Sequence, residues 1–192
     1  HHLLRRQRQM CIRDRSGTSA DGIDGCILLT DGQHVKHTDI SLCQPYPGPV
    51  EKAIQAARRD PASFLADPQR RTALINAITD SHADSVFHLL RRAAEEGLPA
   101  VHLCGFHGQT VYHQPEAGRT IQLGDGNRLA QLCGLPVIYD FRRADMEAGG
   151  QGAPLAPVYH QILLSQAGCQ HPAGFLNLGG IANLTACADT HL

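Results

Sequence analysis

The sequence predicts an α/β fold, a sheet flanked by helices, and three observations lead there. Two glycine turns, one in Ser16–Asp24 and one at Gly179-Gly180, adjoin extended apolar strands near either end of the chain. Between them, Arg70–Glu96 spaces Leu74, Ile75, Ile78, Val86, Leu89 and Leu90 as the apolar stripe of a long helix. A short apolar run, Leu135–Tyr139, then leads directly into acids, arginines and a glycine turn. That succession at the carboxyl end of a strand is where α/β folds bind ligands.

Bulk properties narrow the function before any motif is read. The 192 residues suffice for one domain, or for a domain and part of another. Lys and Arg number 17 against 18 Asp and Glu, a formal charge of -1, so nothing global argues for nucleic acid or an anionic membrane surface as partner. No apolar run approaches the ~18 residues of a membrane span and no signal-peptide core is visible, which predicts a cytoplasmic location. The 7 cysteines are scattered and free of CxxC spacing, as expected for reduced thiols. The 12 histidines lack the carboxylate and cysteine company of a metal site, and no HExxH occurs.

In chain order, residues 1–15 are arginine-rich without strand periodicity and are set aside as a tail outside the fold. Ser16–Asp24, SGTSADGID, runs into the apolar strand Gly25–Thr30. Glycines and hydroxyls in such a turn present several backbone N–H groups to one anion, a concavity that suits phosphate. Asp21 or Asp24 would hold the water shell of a magnesium ion. Asp-Gly is also ordinary hairpin chemistry, so the plain turn stands beside the phosphate reading. No Gly-Lys-Ser/Thr follows, which excludes a P-loop.

A second turn at Thr30–Gln33 and an alternating strand at His34–Ser41 follow. After the loop marked by Pro45, Pro47 and Pro49 come helices at Glu51–Arg58, Ala62–Leu65 and Arg70–Glu96, the last stopped by Gly97-Leu98-Pro99. Ala100–Phe106 reads as a strand with Gly105–Thr110 at its carboxyl end, where the imidazole of His107 and the amide of Gln109 offer fixed donors and acceptors to a sugar hydroxyl or carboxylate. A structural histidine bonded to backbone is the alternative. His113 and Pro115 fall in the next turn, Arg119–Leu123 is a strand, and Asp125 or Asn127 caps a helix over Arg128–Cys133 that ends at Gly134.

Leu135–Tyr139 is then a buried strand. Asp140, Arg142, Arg143, Asp145 and Glu147 follow, and Gly149–Gly152 lets backbone approach a ligand or a neighbouring strand. A solvated loop with local ion pairs is the competing reading. Ala153-Pro154 opens an apolar helix, Leu155–Ser165. Gly174–Leu178 is a buried strand, Gly179-Gly180 turns, and Ile181–Cys187 returns.

Four of these segments, in one order, closely resemble the 1,6-anhydro-N-acetylmuramic acid kinases, bacterial sugar kinases of the actin-like ATPase superfamily. They are SGTSADGID, GFHGQTVYHQP, DFRRAD with AGGQGAPLAP, and NLGGIANLT, and they cover Ser16 to about Thr185. The resemblance implies an actin-like (ribonuclease H-like) lobe with a mixed sheet at 16–165 and the first hairpin of a second lobe at 166–192. It implies ATP and Mg2+ as cofactors. Gly17, Thr18, Ser19, Ala20, Asp21, Gly22, Ile23 and Asp24 become the first phosphate loop, and Gly179 and Gly180 face the nucleotide from the other side. Asp21 and Asp24 attend the metal. His107, Gln109, Asp140, Arg142, Asp145, Gly150 and Gln151 fall on the sugar side. Phe106 stands where the family often has Ser.

The implied reaction opens the anhydro bridge with water while O6 takes the γ-phosphoryl group, giving N-acetylmuramic acid 6-phosphate in cell-wall sugar recycling. The family's general-base Asp lies in an FDxGPGN-type motif that does not occur up to Leu192. No catalytic residue is therefore named, and the chain is expected to be an inactive amino-terminal fragment of a homodimeric enzyme. Two other readings compete: a different actin-like sugar kinase, and a non-catalytic nucleotide-binding lobe.

Overall fold

The computed structural model describes residues 8–12, 22–31, 34–170, 172–177 and 183–188. In chain order these form β1 (Arg8–Ile12), β2 (Gly22–Thr30), β3 (Val35–Pro45), α1 (Gly48–Arg59), α2 (Pro61–Ala66), α3 (Pro68–Glu95), β4 (Leu103–Phe106) and β5 (Gln109–Gln114). After a 3-10 turn at Pro115–Ala117 come β6 (Arg119–Leu123), α4 (Gly126–Cys133), β7 (Val137–Tyr139), α5 (Phe141–Glu147), α6 (Pro157–Gln166), β8 (Ala173–Asn177) and β9 (Asn183–Cys187).

Five strands make the main sheet in the order β3-β2-β1-β4-β7. β2 runs antiparallel to both β1 and β3, whereas β1, β4 and β7 are parallel. In β2, Ile23 and Ile27 are fully buried and the carbonyl of Ile27 accepts from Thr38 Oγ1 at 2.7 Å, beside a register shift between Cys26 and Leu28. β5–β6 and β8–β9 are separate two-stranded antiparallel ribbons.

The helices start where short side chains satisfy free backbone donors. Asp60 and Asp67 accept from Ser63 N and Arg70 N, each at 3.0 Å, with Pro61 and Pro68 at the first helical positions. The 28-residue α3 then crosses two apolar clusters. Its later turns bring Val86 and Leu89 against Ile27, Cys104 and Phe106 on the sheet and Leu129 of α4, while its first turns bring Leu74 and Ile78 against Ile54, Phe64, Val111 and Leu123. Burial, and secondarily Cys104, pushes the Cys133 thiol up to about 11, so it stays protonated at neutral pH. No helix among the described residues is long and apolar enough to cross a membrane.

Several expectations are corrected here. Residues 1–15 do not all stand outside the fold, because β1 lies inside the main sheet, paired with β2 from Arg8↔Thr30 to Ile12↔Cys26 and with β4 at Cys11↔Cys104. Two backbone ladders decide that position, and Met10-Cys11-Ile12 is too short an apolar run to show a period among arginines. β7 is not buried. Among the described strands it pairs with β4 alone, and Ile138 is 52% exposed. His113 lies in β5 rather than in a turn. The helix after the glycine segment begins at Pro157, not at Ala153-Pro154, whose peptide bond is cis. β8 is likewise not a buried strand. Phe175 faces α6, where His160 stacks on it at 4.1 Å, but Leu176 and its cross-strand partner Leu184 are exposed because nothing among the described residues covers their face.

Candidate functional site

The sheet order decides where a ligand can sit. The chain leaves β1 toward β2 and β3 on one side, then returns to β4 and β7 on the other. Between β1 and β4 the order reverses, and the crevice outside the carboxyl ends of such neighbouring parallel strands is the usual binding place. Because β2 is antiparallel, its amino end, Gly22–Asp24, reaches the same sheet edge as the carboxyl ends of β1, β4 and β7. His107 directly follows β4 and Asp140 directly follows β7 at that edge. Adjacent strands are about 4.8 Å apart, so β2 and β4, with β1 between them, stand roughly 10 Å apart.

At the end of β4 the backbone turns sharply through Gly108, whose φ of +70 is left-handed; a Cβ there would sit 2.6 Å from the carbonyl oxygen of Leu123. This turn buries His107 and Gln109. His107 Nδ1 lies 2.8 Å from Gly108 O, and its ring lies 5.7 Å from that of Phe141. Gln109 Nε2 donates to Thr110 O at 3.3 Å, while its Oε1 has no hydrogen-bond partner among the described residues.

The DFRRAD stretch is a helix, α5, and not a loop. Asp140 takes a left-handed φ of 60 just ahead of it. Helical spacing turns Arg142, Asp145 and Met146 inward and Arg143 and Glu147 outward. Arg142 Nε donates to His107 Nε2 at 2.6 Å and Arg142 Nη1 to Gly152 O at 2.6 Å. Gly152 N in turn donates to Asp145 Oδ2 at 2.7 Å. One peptide segment thus joins the predicted arginine to the predicted acid. Arg143 pairs instead with Asp140 and, at 3.7 Å, with Glu147.

The glycine segment makes a close approach, but to its own helix rather than to a ligand or another strand. A Cβ at Gly150 would collide with the Asp145 carboxylate, and one at Gly152, where φ is +68, would press on Met146 and on Arg142 O at 3.1 Å. Gln151, between them, is exposed.

Beside this cluster is a cleft of about 210 Å³ bounded by His107, Gly108, Thr120, Gln122, Tyr139, Asp140 and Arg143. The structure therefore brings His107, Asp140, Arg142, Asp145 and Gly150 together, with Gln109 buried one residue past the turn. Of the proposed phosphate loop, Gly17, Thr18, Ser19, Ala20 and Asp21 lie outside the described residues, as do Gly179 and Gly180. Gly22, Ile23 and Asp24 are the first residues of β2. Sequence reading missed Phe141, Thr120 and Gln122. The helical offset from Arg142 to Asp145 and Met146 was the available signal for α5.

A mixed sheet with helices packed on it, and a cleft outside the ends of its parallel strands, defines an α/β protein. Residues 9–190 match the family described as anhydro-N-acetylmuramic acid kinase. Similar curated proteins include the anhydro-N-acetylmuramic acid kinase of Gluconobacter oxydans, 44% identical over 170 residues, covering 88% of this chain and 46% of that protein. That of Bradyrhizobium diazoefficiens is 42% identical over 182 residues, covering 88% of this chain and 47% of its own, and that of Rhizorhabdus wittichii 43% over 180 residues, covering 93% and 48%. The chain belongs to the anhydro-N-acetylmuramic acid kinase family and spans about half the length of the curated relatives it matches.

Proposed function

We propose that the full-length protein transfers the γ-phosphoryl group of ATP to 1,6-anhydro-N-acetylmuramic acid and opens its anhydro bridge with water, and that this chain supplies the sugar-side cleft and the first phosphate turn. In the step, the water oxygen bonds to C1 as the C1–O6 bond breaks. O6 bonds to the γ-phosphorus as the bond to ADP breaks, and a carboxylate takes the water's proton. None of the described residues is assigned as that base.

The observation that carries this reading is the Arg142 guanidinium, held by His107 and Gly152 beside the cleft at the carboxyl ends of β4 and β7. Its planar fork suits the carboxylate that distinguishes a muramic acid from other amino sugars. The strand order, with β2 alone antiparallel, supports the actin-like lobe that the family resemblance implies.

Magnesium is commonly held by one or two protein carboxylates plus the substrate phosphates. Asp24, at the amino end of β2, is a donor of that type, with Asp21 as the second carboxylate in the proposal; among the described residues no group of three His, Cys, Asp or Glu side chains gathers as a metal cage. The ion would supply charge neutralisation at the transferring phosphoryl.

The reading is tested by incubating the full-length protein with ATP and the anhydro sugar in ¹⁸O-labelled water. The expected product is a sugar 6-phosphate carrying the label at C1. A phosphorylated sugar with its anhydro bridge intact, or phosphorylation of N-acetylglucosamine in preference, would overturn it.

A further inference from the structure

Arg142 is held by a bond that only one form of His107 can make. A guanidinium has donors and no acceptor, so the 2.6 Å contact from Arg142 Nε requires a lone pair on His107 Nε2. The remaining ring proton then lies on Nδ1, which sits 2.8 Å from the carbonyl oxygen of Gly108, an acceptor. Both neighbours therefore dictate the same neutral tautomer. His107 is 8% exposed and packs beside Phe141, which limits reorientation of the ring.

We propose that His107 is a positioning residue that acts through Arg142: as the neutral Nδ1–H tautomer it holds the guanidinium against the cleft wall that His107 itself forms, so that an anionic ligand group is gripped only while the imidazole is unprotonated. An imidazolium would offer a donor where an acceptor is needed, and would set a second cation against the first. The charged and titratable groups of the elements beside it are Arg142, Arg143, Asp145 and Glu147 on α5, Asp140 just before that helix, and Tyr139 at the end of β7. β6 brings Thr120 and Gln122 to the cleft, and neither titrates. The direct 2.6 Å contact with Arg142 is the decisive interaction. This assignment rests on the cleft being the sugar site, and it adds that sugar affinity is governed by the protonation of a residue that need not touch the sugar.

The test uses the full-length protein with ¹⁵N-labelled His and Arg, titrated between about pH 8 and pH 5, the range in which histidine charges. His107 is expected to show the Nδ1–H tautomer, and the Arg142 Nε–H resonance, assigned by its loss in Arg142→Lys, is expected to vanish in step with His107 protonation. In parallel, affinity for 1,6-anhydro-N-acetylmuramic acid should fall over the same interval. His107→Phe should bind about tenfold more weakly at high pH, as for loss of a hydrogen bond to a charged group. His107→Gln, whose amide oxygen restores the acceptor, should recover most of the affinity and lose the acid-side fall. An Nε2–H tautomer, an Arg142 signal indifferent to His107 protonation, or a folded His107→Gln as weak as His107→Phe would overturn the proposal. If the wild-type protein shows the His107–Arg142 coupling and does not bind this sugar, the positioning role is upheld and the substrate reading is the part that fails.

Discussion

Helix α5 shows two arginines, adjacent in sequence, in two different surroundings. On its inner side Arg142 is half-buried and bonded to a ring nitrogen and a backbone carbonyl, with Asp145 on the same side bonded to the same glycine. On its outer side Arg143, with its side chain 66% exposed, meets Asp140 and Glu147. Exposed pairs of the second kind are weak and screened by salt, whereas bonds in a partly dry setting fix a geometry. The run of charges in DFRRADME is therefore not one acidic-and-basic shelf. A single helical turn divides it into a side bonded to His107 and the glycine segment behind the cleft wall, and a more exposed side from which Arg143 borders the cleft.

That contrast can be broken from the inside first. Gly108→Ala should have the largest effect, about 2–3 kcal/mol of stability, since the turn that buries His107 needs a left-handed backbone and has no room for a Cβ; urea unfolding measures it, and a loss below about 0.5 kcal/mol would show that the turn adapts. Arg142→Ala in the full-length enzyme should weaken sugar binding by about 1.5–3 kcal/mol, read as a raised KM. An unchanged KM removes the inner face from the site. Asp145→Ala leaves Gly152 N without its acceptor and should cost about 1–2 kcal/mol of stability, together with weaker sugar binding as Gly152 releases Arg142.

The outer side sharpens the comparison by doing little. Arg143→Ala should change stability by less than about 0.5 kcal/mol, and less still at high salt. A larger, salt-independent loss would mean that both sides shape the site. The mildest effect is expected far from the cleft, in α6. Burial lowers the His160 pKa below its usual 6.5, so the unfolded chain takes up that proton more readily than the folded one. The stabilisation is thus fully present above about pH 6.5 and declines as pH falls through the usual value toward the folded one. Loosening of the stacked His160–Phe175 pair and of the Nδ1 contact with Thr185 Oγ1 at 2.8 Å would follow, seen as line broadening of Phe175 on acidification.

Legibility differed by the range of the interaction involved. Asp60, Asp67 and Asp125 cap helices through bonds to residues three positions on, and α3 shows its apolar stripe within its own length. The position of the DFRRAD segment after a strand was readable for the same reason. β1 was not, because its evidence lies in two partner ladders distant in sequence, and α5 was hidden because a short charged helix has little apolar period to display. Gly150 and Gly152 were read correctly as places of close approach, while the surface approached, their own helix with its Asp145, was not in the local pattern.

By itself, then, the residue order determined the long helix α3, the cap at Asp125 and the chemical groups gathered around Asp140, since those depend on neighbours a few positions away. Tertiary structure alone decided that β1 enters the sheet beside β4, that the ends of β4 and β7 meet at one edge, and that His107 reaches Arg142 across 35 positions. Those outcomes depend on backbone ladders and on burial, which no window of sequence contains.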